Sequence, residues 1–233
     1  MQPWYDNIYY VNFERTHPNG GTMYFFDLDG TLLDSNRVWL DIDIAFLNQQ
    51  GIPSASEDYT EYVTYHSFQD AARHTKERYG LSLSENEILS AWFRLAVDAY
   101  ATQLPLKPGA RQVLERLNEN GEQPALLTSC MPELCSAAIS NHDLSPLLKA
   151  VITPKEVGLG KDDPALYLRL AEQFGISPEE CTLVDDSPYY CDAAKRAGWH
   201  TVGVVDLPFS KNAAALANIC EQCLDSLEGF PLT

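Results

Sequence analysis

The alternation of short apolar runs with helix-length segments constrains the fold of this chain more than any other feature of its sequence. Apolar runs typical of strands occur at 24–27, 125–128, 150–153, 182–184 and 201–205. Helical segments with recognisable stop signals lie between them, at 111–120, 132–141, 164–174 and 191–197. Alternating strands and helices form a parallel sheet that is covered by helices on both faces. The sequence therefore predicts an α/β fold with a Rossmann-like, three-layer core.

The segment 35–104 interrupts this alternation, because it contains helical patterns and no convincing strand. Asp34 or Ser35 is predicted to cap a first helix, which closes at Gly51. Ser84 and the glutamate three residues later have the spacing of a capping box, which predicts the start of another helix. We therefore expect an inserted, all-helical cap domain.

The chain is predicted to have three parts. An N-terminal arm occupies 1–22, a core domain occupies 23–34 and 105–233, and the helical cap domain occupies 35–104. The segment 104–109 contains two prolines and a glycine, which is typical of a hinge between two units. The arm is rich in tyrosine, and such an arm is compatible with a homodimer contact.

The charge of the chain argues against several classes of partner. A formal net charge of -17 repels nucleic acid and anionic lipid, and no basic cluster offsets it. No apolar run approaches the roughly 18 residues that span a bilayer, and the N-terminus lacks the pattern of a signal peptide. We therefore expect a cytoplasmic protein that binds neither nucleic acid nor membranes.

Polar residues follow the first two apolar runs, where ligands of such sheets usually bind. Asp27 and Asp29 place two carboxylates in one tight turn, which indicates either a metal site or a nucleophile beside an acid or base. Thr128 and Ser129 follow the second run, and their hydroxyls suit either a phosphate oxygen or a helix cap. Each pattern alone is ambiguous.

Two later segments add a cation and two further acids. Lys161 precedes the helical segment 164–174, where its charge opposes the helix macrodipole. This position suits a functional role, and the alternative is a solvated surface lysine. Asp185 and Asp186 directly follow the run at 182–184. If this strand lies beside the first, four carboxylates meet at one edge and need a cation or a shared proton. Oxygen ligands beside a phosphate predict magnesium.

Each of these features lies at a strand end or a helix entrance. Taken together, in this order, they make the sequence resemble the haloacid dehalogenase superfamily of phosphohydrolases. The resemblance covers roughly 23–205, and its first motif, at 25–35, is a very specific match. The chain is most similar to the subfamily with a small helical cap, which includes phosphoglycolate phosphatases and β-phosphoglucomutases. Many relatives carry a glycine and an acid where this chain has Asp185 and Tyr190, and the usual Lys-Pro-x-Pro becomes Lys161-Asp-Asp-Pro.

The resemblance implies a magnesium-dependent phosphatase that acts on a small phosphomonoester. Asp27 would be the nucleophile that forms an aspartyl-phosphate. Asp29 would protonate the leaving oxygen and then activate water. Thr128 would bind the transferred phosphate, and Lys161 would neutralise it. Expected substrates are small phosphorylated metabolites such as a sugar phosphate, phosphoglycolate or a nucleoside monophosphate.

The resemblance also implies a set of metal and substrate ligands. Mg²⁺ would be held by Asp27, the backbone carbonyl of Asp29 and Asp186, with Asp185 bound directly or through water. The residues predicted to bind the substrate are Thr31, Ser129 and His66. The histidine lies where relatives often place specificity residues, and its alternative role is an ordinary polar residue of a cap helix.

Three other activities were weighed against the phosphatase. A β-phosphoglucomutase-like phosphomutase shares the core and cap, but those mutases carry an arginine in the corresponding cap segment, and 64–69 has none. Haloacid dehalogenases lack the second aspartate of the first motif. A non-catalytic binding protein of this fold would be expected to have lost Asp27 or Lys161, and both are present.

Overall fold

The computed structural model describes residues 22–35, 37–65, 67–206 and 212–231. Two compact units emerge from the contacts, one drawn from 1–36 and 105–233 and the other from 37–104. The predicted N-terminal arm, apart from its last residue, and the predicted substrate ligand His66 lie outside the described residues.

A parallel sheet forms the centre of the first unit. Within the described residues it has six strands: β1 (Met23–Phe26), β2 (Ala125–Leu127), β3 (Ala150–Ile152), β4 (Cys181–Asp185), β5 (His200–Val204) and β6 (Gln222–Leu224). Their order is β3-β2-β1-β4-β5-β6, and every neighbouring pair is parallel. This confirms the predicted α/β core, and β6 is a strand that the sequence did not predict.

Helices occupy both units. The helical unit contains α1 (Val38–Gln49), α2 (Glu57–Tyr65), α3 (Phe68–Tyr79) and α4 (Glu85–Thr102). The sheet unit contains α5 (Ala110–Glu119), α6 (Pro132–Asn141), α7 (Pro154–Val157), α8 (Pro164–Phe174), α9 (Pro188–Arg196) and α10 (Ala213–Ile219). The last predicted helical segment, 191–197, begins too late. The helix α9 starts at Pro188, because proline is favoured in the first helical turn. None of the helices in the described ranges is long and apolar enough to cross a membrane.

The strand β1 is buried on both of its faces, which explains its unbroken apolar sequence. On one face Phe25 packs against Trp199 and Phe174, with ring centroids 4.6 and 5.3 Å apart. On the other face the rings of Tyr24 and Phe26 each lie 5.7 Å from Phe230. These contacts fix the height at which β1 ends and therefore the position of the residue after it, Asp27.

The two segments that connect the sheet unit to the inserted segment run side by side. Leu33 and Leu106 form an antiparallel bridge, and the Asp34 N–H donates to the Pro105 carbonyl at 3.0 Å. Lys107 extends this contact, because its ammonium donates to the Gly30 carbonyl at 2.9 Å and pairs with the buried Asp206. The turn after β1 is thus tied to the returning chain.

The start of α1 corrects one prediction, and the start of α4 agrees with another. The helix α1 begins at Val38 with Arg37 as its N-cap, so neither Asp34 nor Ser35 caps it. At α4, Ser84 forms the expected capping box with Glu87. The two residues of the capping box are three positions apart, whereas the hydroxyl of Ser35 donates to Asp29, six residues earlier in the chain.

A buried polar cluster links three helices of the helical unit. The Tyr59 hydroxyl lies 2.8 Å from Asp43 Oδ1 and 2.8 Å from Thr75 Oγ1, and the Thr75 hydroxyl donates to the Ala71 carbonyl. In this cluster the Tyr59 hydroxyl donates to the Asp43 carboxyl group. Burial raises the pKa of Asp43 from its ordinary value of 3.8 to about 6.

The raised pKa of Asp43 predicts a pH-dependent free energy of unfolding. Since the folded state holds the proton more tightly, the stabilisation is complete below about pH 4 and is lost as the pH rises through about 6. Replacing Asp43 with asparagine removes this dependence. As the pH rises between those limits, the free energy of unfolding of Asp43→Asn, measured with urea, should come to exceed that of the native protein by up to about 3 kcal/mol.

The matched control for this prediction is Asp41→Asn, which changes an exposed acid of the same helix. Its free energy of unfolding should follow that of the native protein across the pH range. An equal pH dependence in Asp43→Asn and the native protein would contradict a raised pKa of Asp43.

Gly109, at the N-cap of α5, combines a left-handed backbone with a close backbone contact. Its φ is +84°, and an added Cβ would lie 2.2 Å from the Glu228 nitrogen and 2.4 Å from the Leu227 carbonyl carbon.

We expect Gly109→Ala to lower the free energy of unfolding by about 3 kcal/mol or more. Gly121→Ala is the control, because its φ is +81° with nothing within 4 Å. It should cost only about 1 kcal/mol in the same denaturant titration, and equal losses would contradict the contact.

Candidate active site

The carboxyl ends of three neighbouring strands bring the site residues together. Phe26 of β1 is in register with Leu126 of β2 and Val184 of β4. Asp27 extends the pairing of β1 with β4, since its N–H donates to the Val184 carbonyl at 2.9 Å. Thr128 and Asp185 therefore lie at the same edge of the sheet as Asp27.

Lys161 binds two of these carboxylates. Its ammonium donates to Asp27 Oδ1 and to Asp185 Oδ2, each at 2.6 Å, and the lysine is only 2% exposed. The Tyr167 hydroxyl in α8 donates to the Lys161 carbonyl at 2.7 Å, which fixes the backbone of the loop that carries the lysine. Sequence reasoning placed Lys161 at a helix entrance, and the structure brings it to Asp27.

Three carboxylates gather at this point. One oxygen each from Asp27, Asp185 and Asp186 lies within 4.8 Å of the other two. Asp185 is fully buried, and its second oxygen accepts from the Ser187 N–H at 2.8 Å. With Lys161, this group of charged side chains carries two negative charges when all are ionised. The arrangement can hold a divalent cation.

Burial and charge act in opposite directions on the central pair. Burial raises the pKa of Asp27 well above 3.8, and the nearby Asp185 and Asp186 raise it further against the opposing effect of Lys161. Burial alone would lower the pKa of Lys161, but Asp185 and Asp27 outweigh it and raise that pKa. The lysine is therefore charged, and the carboxylates need more positive charge than it supplies.

Asp29, the predicted acid and base, lies outside the cluster of three carboxylates. Its Oδ1 accepts a hydrogen bond of 2.6 Å from the hydroxyl of the buried Ser35. Sequence reasoning assigned Ser35 to a helix cap and missed this contact. The hydrogen bond fixes the direction of the Asp29 carboxyl group.

The hydroxyl residues of the predicted site differ in their surroundings. Thr128 is buried, and its oxygen accepts from the Cys130 N–H at 3.0 Å, which leaves its own O–H to donate. Ser129 is exposed. The hydroxyl of Thr31 is buried, with no hydrogen-bond partner among the described residues.

An aromatic residue that the sequence did not single out as a functional residue also contacts the site. The ring of Tyr190, in the first turn of α9, lies with its centroid 4.7 Å from the Lys161 ammonium. One signal was available in the sequence, because Tyr190 follows Asp186 by about one helical turn.

The site thus combines a lysine and three aspartates at the carboxyl edge of a parallel sheet. The family model of haloacid dehalogenase-like hydrolases matches residues 23–198. The chain belongs to the haloacid dehalogenase-like hydrolase family, which confirms the predicted family and fold.

Individual relatives agree with this assignment. The chain is 30% identical over 190 residues to hexitol phosphatase A of Escherichia coli strain K12, covering 78% of this chain and 82% of the relative. It is 29% identical to validoxylamine A 7'-phosphate phosphatase of Streptomyces hygroscopicus subsp. limoneus, covering 82% and 88% of the two chains. A crystal structure of a HAD family hydrolase from Deinococcus radiodurans R1, with bound phosphate and sodium, superposes with a TM-score of 0.69 at 22% identity, covering 90% and 93%.

Proposed function

We propose that this protein is a magnesium-dependent phosphatase that hydrolyses a small phosphomonoester through an aspartyl-phosphate on Asp27. Relatives named as phosphatases confirm the predicted enzyme class, a phosphoric monoester hydrolase. The observation that carries the mechanism is the pairing of Asp27 with Lys161, buried beside two further carboxylates.

The donor set fits magnesium. Magnesium prefers oxygen ligands and is usually bound through one or two carboxylates. One oxygen each of Asp27, Asp185 and Asp186 lies within 4.8 Å of the other two. Asp27 and Asp186 would hold the ion with the backbone carbonyl of Asp29. Asp185 already accepts from Lys161 and Ser187, which favours an indirect role through water. When bound, magnesium supplies positive charge to the phosphoryl oxygens.

Asp27 would attack the phosphorus of the ester, forming a carboxyl oxygen to phosphorus bond while the bond to the leaving oxygen breaks. Fixed positive charge is necessary, because an anionic carboxylate and an anionic phosphate repel each other. Lys161 supplies part of this charge from its position on Asp27. In the second half of the reaction, water attacks the aspartyl-phosphate. This releases inorganic phosphate and restores the Asp27 carboxylate.

Asp29 would carry the proton in both halves of the reaction. It gives a proton to the leaving oxygen, and it then removes a proton from the attacking water. The hydrogen bond from Ser35 holds the Asp29 carboxyl group in one orientation before the substrate arrives.

The hydroxyls of Thr128, Ser129 and Thr31 are proposed to bind the phosphate. The O–H of Thr128 supports this, since the Cys130 N–H occupies the oxygen and leaves the proton to donate. Substrate choice is assigned to the helical cap, which remains a prediction, as do the cytoplasmic location and the homodimer.

Release of inorganic phosphate from sugar phosphates, phosphoglycolate and nucleoside monophosphates, with magnesium or with a chelator, tests the proposal. We expect magnesium-dependent turnover of at least one of these esters. Formation of an isomeric phosphate ester without phosphate release would indicate a phosphomutase. Absence of turnover across a broad panel of phosphomonoesters would contradict the proposal and favour a binding protein.

A further inference from the structure

The ammonium of Lys161 has three N–H donors, and three side chains contact it. Two donors are used by Asp27 Oδ1 and Asp185 Oδ2, each at 2.6 Å. The ring of Tyr190 faces the same ammonium at 4.7 Å from the centroid, within the range of a cation–π contact. Since the lysine is almost fully buried, this contact acts where little water screens it.

The backbones of Lys161 and Tyr190 are held together by a third residue. The hydroxyl of Tyr167 lies 2.7 Å from the Lys161 carbonyl and 3.3 Å from the Tyr190 carbonyl, to which it can donate in turn. Burial raises the pKa of Tyr167, so its hydroxyl keeps the proton that it donates. The loop before α8 and the first turn of α9 therefore meet at one hydroxyl, which keeps the two backbones close to each other.

We propose that Tyr190 is a positioning residue, whose ring holds the Lys161 ammonium against Asp27 and Asp185. Its role in turnover rests on the proposed function, whereas the contact between ring and ammonium does not. The ring stabilises the charged lysine without neutralising it, as a third carboxylate would. The full positive charge of Lys161 therefore stays available to the phosphoryl group.

The first test measures the contact without any substrate. The chain contains seven lysines, so protein labelled with ¹³C at the lysine ε-carbon gives few signals. The signal that disappears in Lys161→Arg identifies Lys161. We expect the ring face to shift its ε-protons upfield, Tyr190→Phe to keep that shift, and Tyr190→Leu to abolish it. Tyr189→Leu, at the exposed neighbouring tyrosine, is the control and should leave the signal in place.

The second test measures turnover with the best phosphomonoester of the panel. Tyr190→Leu should lower kcat about tenfold with a smaller change in KM, because the lysine acts on the transferred phosphoryl group. Tyr190→Phe should lose less, since it keeps the ring that faces Lys161.

The outcomes of the two tests separate the two proposals. An unshifted Lys161 signal in the native protein, or a shift that survives in Tyr190→Leu, would overturn the role of Tyr190. Equal kcat values for Tyr190→Leu and Tyr190→Phe would overturn it as well. A native protein that hydrolyses no ester, yet shows the expected ring-dependent shift, would contradict the phosphatase and support the contact.

Discussion

Replacing Asp27 with asparagine is expected to reduce phosphate release by at least about a thousandfold, because an amide is a poor nucleophile. The same change should leave the fold intact. Burial and neighbouring carboxylates raise the pKa of Asp27, so its charge is unfavourable in the metal-free protein. The asparagine oxygen can still accept from Lys161. In the presence of a chelator, the free energy of unfolding of Asp27→Asn should therefore equal or exceed that of the native protein.

The control for this experiment is Asp34→Asn, which changes an exposed acid seven residues further along the chain. It should keep native turnover and stability. The aspartyl-phosphate can also be sought directly, by acid quenching after mixing with substrate labelled on its phosphate. Undiminished turnover in Asp27→Asn would rule out Asp27 as the nucleophile, and an unfolded variant would contradict the predicted gain in stability.

Replacing Lys161 with methionine should lower both turnover and stability. Loss of the ammonium leaves the buried carboxylates of Asp27 and Asp185 beside each other with no cation. Breaking a buried ion pair in this way typically costs about 3 to 5 kcal/mol, because the remaining charge is uncompensated. We expect a loss of this size in the free energy of unfolding, measured by urea titration with a chelator present.

Two further variants identify the cause of that loss. Lys161→Met combined with Asp185→Asn should recover part of the stability, since it removes one of the two uncompensated charges. Arg196→Met removes an exposed partner of Asp192 and should change the free energy of unfolding by less than about 1 kcal/mol. A free energy of unfolding that is unchanged in Lys161→Met would show that the buried carboxylates do not depend on the lysine.

The sequence predicted the sheet well because its central strands are buried on both faces. Each such strand favours an apolar run, which is unbroken in β1 and shorter in β4, and such a run is visible in a single sequence. The edge strand β6 lacks this signal, because its three residues include an exposed glutamine and two half-buried side chains. A short edge strand owes its pairing to the neighbour rather than to its own composition.

The candidate site was predictable where it depends on topology. Asp27, Thr128 and Asp185 each follow or end a strand, so strand order alone brings them to one edge. Contacts that depend on the direction of a side chain were not predictable in the same way. Ser35 has the composition of a helix cap, yet its hydroxyl binds Asp29. Tyr190 is aromatic and could pack anywhere in a core, yet its ring faces a buried ammonium.

The bridge between Leu33 and Leu106 places the two ends of the inserted segment side by side. In terms of chain entropy, the insertion connects two points that the core already holds side by side, as the loop of a hairpin connects its two strands. Loop-closure entropy grows only slowly with length, so insertions of very different sizes cost the core nearly the same. A short turn could replace the whole helical unit without stretching the chain. The core can therefore exchange its insertion during evolution while the carboxylates and lysine at the sheet edge stay in place.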